Sequence, residues 1–168
     1  ATSITASILG YKAVDRFDLS HGQAQIMNVM GDFGLFGGMA LAAGIGLYDH
    51  KTQDAFGGVV ESASLEESWE GNLFALGASA VTLGAGKWMS RDDSYTVGDG
   101  RTLRATGFLG ATIGAAAADL ITHESDKGIL LGLAAGSGLG VVLGHNYLIA
   151  ERDFTSGQGL LVIAGQLA

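Results

Sequence analysis

Apolar residues fill long stretches of this 168-residue chain, and polar residues gather in short clusters between them. Within the apolar stretches the two-residue alternation of a half-buried strand is absent. Glycines recur there at helical spacing instead. Gly128, Gly132, Gly136, Gly140 and Gly144 step by four, with Leu, Ile and Val between them. Residues four apart share one face of a helix, so the segment predicts a helix with a smooth groove along one side. Gly costs about 1 kcal/mol against Ala inside a helix, and close approach of a neighbouring backbone is what offsets that cost. Gly110 with Gly114, and Gly34 with Gly38, predict helix-packing faces of the same kind.

The polar clusters carry a recurring motif. Asp18-Leu-Ser-His-Gly-Gln23, Ser94-Tyr-Thr-Val-Gly-Asp99 and Asp153-Phe-Thr-Ser-Gly-Gln158 each read polar, large apolar, Ser/Thr, any residue, Gly, Gln/Asp. The second copy stands at an offset of 76 from the first, and the third at an offset of 59 from the second. Glycines keep the same offsets: Gly31, Gly34 and Gly38 precede Gly107, Gly110 and Gly114 by 76, and Gly77 precedes Gly136 by 59. Ser20, Thr96 and Thr155 are placed as helix N-caps, and Gln23, Asp99 and Gln158 reach back as capping boxes. Leu19, Tyr95 and Phe154 stand where a hydrophobic staple sits. Ser64 with Glu67 forms a further box, and Ser125 is a candidate cap.

These signals predict helices over about 1–14, 20–48, 65–90, 96–122, 126–150 and 155 to the end. The predicted fold is all-α, with antiparallel helical hairpins in tandem over about 1–48, 65–122 and 126–168 and an insertion at 49–64. This is one helical-repeat domain or fragment, since the first helix lacks a start signal and the last lacks an end signal.

Composition narrows the function. Gly (28) and Ala together make up nearly a third of the chain, and charged residues only 15% against a typical quarter. With no Cys, a disulfide framework and a thiolate metal site are both excluded. The net charge of −8 leaves counterion-release binding little to work with, so nucleic acid is not an expected partner. The segment 128–150 carries no charge at any position, and it is long enough to cross a bilayer of about 30 Å. Seven of the nine basic residues (Lys12, Arg16, Lys87, Arg91, Arg101, Arg104 and Arg152) cluster around the three motifs, while the opposite turns hold Lys51 and Lys127 with eight acids. A positive-inside topology gives this asymmetry. On the other side, a mean hydropathy of +0.33 is low for a polytopic protein. Asp32 and Asp119 also fall inside predicted helices, as candidate buried polar residues, where lipid exposure is costly. A soluble stack of hairpins would put charges in its turns too, so both locations stay open.

The glycine ladder from Gly128 to Gly144 resembles the glycine-zipper helices of small Gram-negative envelope proteins, including glycine-zipper outer-membrane lipoproteins. The likeness covers the ladder and its immediate surroundings, a small part of the chain. It implies an envelope location and a structural, lipid-associated role, and it brings no catalytic residue. The chain departs from those proteins in lacking the lipoprotein Cys and in having about three hairpins where they usually carry one.

Catalytic motifs fail on inspection. A P-loop ending at Gly86-Lys87 would need Gly where Val81 stands and Ser/Thr where Trp88 stands. Dinucleotide fingerprints starting at Gly44 or Gly138 lack their third Gly, with Asp49 and Leu143 in its place. Asp119 and His123 share a helical face and are the sole start of a metal site, but an ion pair near a helix C-terminus explains them as well. Trp69, Trp88, Tyr48, Tyr95 and Tyr147 fall near predicted helix ends, as an aromatic belt or as staples and core caps. The expected role is non-enzymatic: a structural or assembly domain, with no cofactor and no metal. Its partners would be other subunits or the rest of a longer chain, with lipid as a further class. The alternatives are a carrier or channel-like bundle using buried Asp32 and Asp119, or a soluble protein-binding repeat.

Overall fold

The computed structural model describes residues 19–53, 59–63, 68–91, 95–122, 125–150 and 152–166. The body of the protein is all-helical, and its helices pack on one another. Among the described residues five α-helices build it: α1 His21–Gly44, α2 Trp69–Met89, α3 Val97–Thr122, α4 Asp126–Gly144 and α5 Ser156–Gln166. Helix α4 runs on through a π-helical turn, His145–Ile149. The expected helix over 1–14 lies outside the described residues. Part of the insertion forms a small antiparallel ribbon, β1 Asp49–Gln53 with β2 Val59–Ala63, in which Lys51 stands opposite Glu61.

Each helix boundary has a local cause. Ser20 accepts a hydrogen bond from Gln23 N while the Gln23 side chain accepts from Ser20 N, which closes a capping box at the start of α1. The helix stops at Gly44, short of the expected 48, because Gly46 adopts a left-handed φ of +83°. The amides of Gly46 and Leu47 then turn back onto the carbonyls of Ala43 and Ala42, the usual way of satisfying the last carbonyls of a helix. Helix α2 opens on Ser68, whose hydroxyl accepts from Gly71 N. The expected box of Ser64 and Glu67 lies outside the described residues, and the cap sits one turn further on. Ser125 caps α4 by accepting from Gly128 N.

Helix α1 pairs antiparallel with α2, and α3 with α4; α1 also packs on α4 and α3, and α5 lies along α3. This pairing differs from the expected frame. The stretch 65–122 does not form one hairpin, because α2 and α3 share no extensive contact, and neither do α4 and α5. The glycine faces explain the frame. Gly34 and Gly38 of α1 are turned to α2, where a methyl on Gly34 would lie 2.7 Å from Ser79 Cα and one on Gly38 2.8 Å from Ala78 Cβ. On α3, a methyl on Gly110 would lie 2.8 Å from Gly140 Cα, and one on Gly114 2.8 Å from Gly136 Cα. Gly132, Gly136 and Gly140 face back onto α3, against the carbonyls of Gly114, Gly110 and Thr106. Gly128 and Gly144 abut the side chains of Thr122 and Thr106. Gly77 is different: a methyl there meets open space, so it is not the counterpart of Gly136.

The hydrophobic core sits where α1 and α3 begin and α2 and α4 end. Ile26, Val29, Met30, Tyr95, Leu103, Val141 and Ile149 form it, with Phe33, Met89, Leu148 and Phe154 packed around them.

These contacts separate two classes of glycine by sign. Gly136→Leu should lower the melting temperature or abolish folding, since overpacking against backbone costs about 1–3 kcal/mol or more; Gly136→Ala should be milder in the same direction. Gly77→Ala and Gly84→Ala, which meet open space, should stabilise by up to about 1 kcal/mol. Thermal unfolding followed by circular dichroism reads both. A rise in melting temperature for Gly136→Leu would remove the close α3–α4 contact from the account.

Candidate functional site

The three motifs lie together at one end of the body, where the starts of α1, α3 and α5 stand side by side. Each closes its own cap. Thr96 N donates to Asp99 Oδ2 at 2.7 Å and Asp99 N to Thr96 Oγ1 at 3.2 Å. Thr155 N donates to Gln158 Oε1 at 2.9 Å and Gln158 N to Thr155 Oγ1 at 3.3 Å. The caps then reach across to one another. Gln23 Nε2 donates to the Ser90 carbonyl at 2.8 Å, at the end of α2. Thr96 Oγ1 donates to the Phe154 carbonyl, while Phe154 N donates to Asp99 Oδ1 at 2.8 Å. Arg101 Nη1 donates to the Ser156 carbonyl at 2.8 Å.

Two glycines make these junctions tight. Gly22 lies directly beneath the Tyr95 carbonyl, and Gly98 beneath the carbonyls of Phe154 and Thr155, with no room for a methyl at either. All three copies of the motif carry a Gly at this place, so the signal stands in the sequence without its meaning. The sequence marks Asp99 only as a capping residue. It is also the deeply buried carboxylate of the junction, 1% exposed. Its two oxygens answer two different backbone amides, which a single amide oxygen of Gln would not do as well.

Asp32 and Asp119 are the candidate buried acids of the sequence, and neither is buried. Asp119 is exposed on α3. Asp32 is partly exposed and forms an ion pair with Arg104, from α1 to α3. Seventy-two positions separate them, so no local spacing announces the pair. It stands at the mouth of an apolar cleft of about 610 Å³, lined by Phe33, Phe36, Phe108 and Ala111. Phe33 and Phe108 meet edge-on at 5.3 Å between ring centroids, a favoured aromatic geometry. At the opposite end of the body Lys127 pairs with Asp49.

The end aromatics divide. Tyr48 and Tyr95 are buried, Tyr48 against Gly71 and Tyr95 in the core, so they are internal caps. Trp69, Trp88 and Tyr147 point outward. His123 lies outside the described residues, and no cluster of three or more metal-ligating side chains occurs among those described. No family model, curated protein or solved structure matches the chain.

Replacing Asp99 tests the junction. Asp99→Ala leaves the amides of Thr96 and Phe154 without acceptors, at about 1–3 kcal/mol for each orphaned donor. Asp99→Asn keeps one acceptor and should fall between Ala and the native residue. Denaturant unfolding gives the ranking. Equal stability for all three would mean that the carboxylate does not hold the junction.

Proposed function

We propose that the chain is a non-enzymatic structural domain, a tandem array of glycine-lined helical hairpins embedded in or lying against a membrane. The observation that carries the membrane reading is the outer surface. Leu73, Leu76, Val81, Ile113, Leu120, Leu139 and Leu161 all face outward and are more than half exposed. A soluble monomer rarely leaves so many large apolar side chains uncovered. Three helical segments, His21–Gly44, Val97–Thr122 and Asp126–Ile149, are long and apolar enough to cross a bilayer. On α2 the outward Trp69 and Trp88 stand near its two ends, separated by about 28 Å of helix at about 1.5 Å per residue and close to the thickness of the hydrocarbon layer. Lys87, Arg91, Arg101 and Arg152 gather at the end that holds the motifs, in the sense of a positive-inside orientation. An envelope location rests on the likeness of the glycine ladder alone.

The tandem reading is supported by contacts that recur at fixed offsets. Gly86 packs on Met30, and Gly144 on Thr106; the glycines differ in position by 58 and their partners by 76. Gly38 meets Ala78 where Gly114 meets Gly136, and the same two offsets, 76 and 58, separate these pairs. Tyr95 and Phe154, by contrast, lie 59 apart, so one extra residue enters between Gly144 and Phe154. The π-helical turn at His145–Ile149 absorbs it, as single-turn π segments do within α-helices.

Asp32 and Arg104 favour a scaffold over a carrier. Arg104 lies eight positions past the Thr96 cap and Asp32 twelve past Ser20, about 12 and about 18 Å into the helices. Near mid-depth an acid needs a partner, and here the partner is a fixed Arg of the same chain rather than a mobile ion.

Reconstitution into vesicles checks the proposal. Bromines placed near the headgroups should quench Trp69 and Trp88 fluorescence more strongly than bromines placed near the chain ends. Neither the native chain nor Asp32→Asn should conduct ions or protons. A chain that stays monodisperse without detergent, with unquenched Trp emission, would overturn the membrane reading. Flux that depends on Asp32 would overturn the structural one.

A further inference from the structure

Two junctions hold the three motifs together, and the second copies the first. In the first, Gly22 faces the Tyr95 carbonyl, and Gln25 covers Gly100. In the second, Gly98 faces the Phe154 carbonyl, and Arg101 covers Gly159. Each motif thus offers one face, its Gly and the residue three further on, to the pre-cap carbonyl of the next. The third motif offers the same face, and among the described residues nothing occupies it: a methyl on Gly157 meets open space.

Burial along α5 points the same way. Leu161 holds the place in its copy that Thr102 and Ile26 hold in theirs, at offsets of 59 and 135. Those two are 0% exposed, whereas Leu161 is 73% exposed. Ala164 stands in the same relation to Ala105 and Val29, both buried, and is itself exposed. The complementary face belongs to the first motif. Leu19 holds the place of Tyr95 and Phe154, and Ser20 that of Thr96 and Thr155, in the two motifs that each touch the motif before them. One chain therefore carries both halves of a contact that it makes twice within itself.

We propose that the face around Gly157, Leu160 and Leu161 is a docking surface for a second copy of this chain, which seats Leu19, Ser20 and Ala24 on it. The contact is head-to-tail, so it propagates into an open row rather than closing as a symmetric dimer. It rests on the tandem reading above, whose internal junction is its template. One residue departs from that template. Ala24 stands where Gly100 and Gly159 have no side chain. A methyl on Gly100 would lie 2.3 Å from Gln25 Cγ and 3.0 Å from its Cβ, and one on Gly159 2.7 Å from the Gly98 carbonyl oxygen and 2.9 Å from Arg101 Cβ. The intermolecular junction must therefore open by about 1 Å, which brings the Cβ atoms of Ala24 and Leu160 to the separation a disulfide spans, about 3.5–4.5 Å.

The native chain has no Cys, so engineered thiols report the contact without background. The doubly substituted chain, Ala24→Cys with Leu160→Cys, should form a ladder of dimers, trimers and longer species on mild oxidation at micromolar concentration, in detergent or lipid. Each single substitution alone should stay monomeric or stop at a weak dimer. Adding Gly157→Val, which meets open space within one chain, should cut the ladder about tenfold without changing the melting temperature. The proposal falls if the doubly substituted chain gives no ladder, if one single substitution cross-links as well as the pair, or if Gly157→Val leaves the ladder intact. Gly98→Val separates this from the tandem reading, because it strikes the internal junction. A lowered melting temperature with no ladder removes the second copy and leaves the array. An unchanged melting temperature removes the array itself.

Discussion

Where α3 meets α4, two backbones approach without side chains between them. At Gly110, Gly114, Gly132, Gly136 and Gly140 the carbonyls of one helix lie on the α-carbons of the other. The contact is a sum of many small dispersion terms that a single methyl would forfeit. Glycine weakens each helix taken alone, so α3 and α4 gain their stability from the pair. The large apolar side chains are thereby displaced to the outer surface, which is why that surface is so greasy and the core so small. A narrow glycine seam inside and a wide leucine surface outside are one design seen from two sides.

Local chemistry is legible in the sequence, and the partners are hidden. Capping boxes at Ser20, Thr96 and Thr155 are readable because the donors and acceptors sit three positions apart, and all three close as hydrogen bonds. The all-helical body is readable from the glycine spacing. Which helix pairs with which is not. A short link suggests that the helices it joins will pair, but the link from Ser90 to Thr96 passes from one glycine-faced pair to the next. The offset of Gly77 and Gly136 misleads for a related reason. On the proposed tandem reading, the slip at His145–Ile149 sets the motifs one position further apart than the helices before it, so a register taken from the motifs misaligns the glycines.

The acids illustrate the limit further. Asp32 draws notice for its apolar neighbours, yet it is partly exposed and paired with Arg104. Asp99 looks like an ordinary capping residue and is the one sealed in the junction. Burial is a property of what arrives from elsewhere in the chain. For Asp99 that is Phe154, 55 residues away, and no window of local sequence contains it.

The same junctions set which contacts are available at each stage of synthesis. The side chain of Gln23 finds the carbonyl of Ser90 only after 67 further residues are made. Asp99 waits 55 residues for the amide of Phe154. Until then each side chain has only its local cap bond, to Ser20 N or Thr96 N, and the glycine beside it is uncovered. On the proposed tandem reading, the first helix pair gains the Tyr95 carbonyl over Gly22, and the second the Phe154 carbonyl over Gly98, only once the next motif has been made.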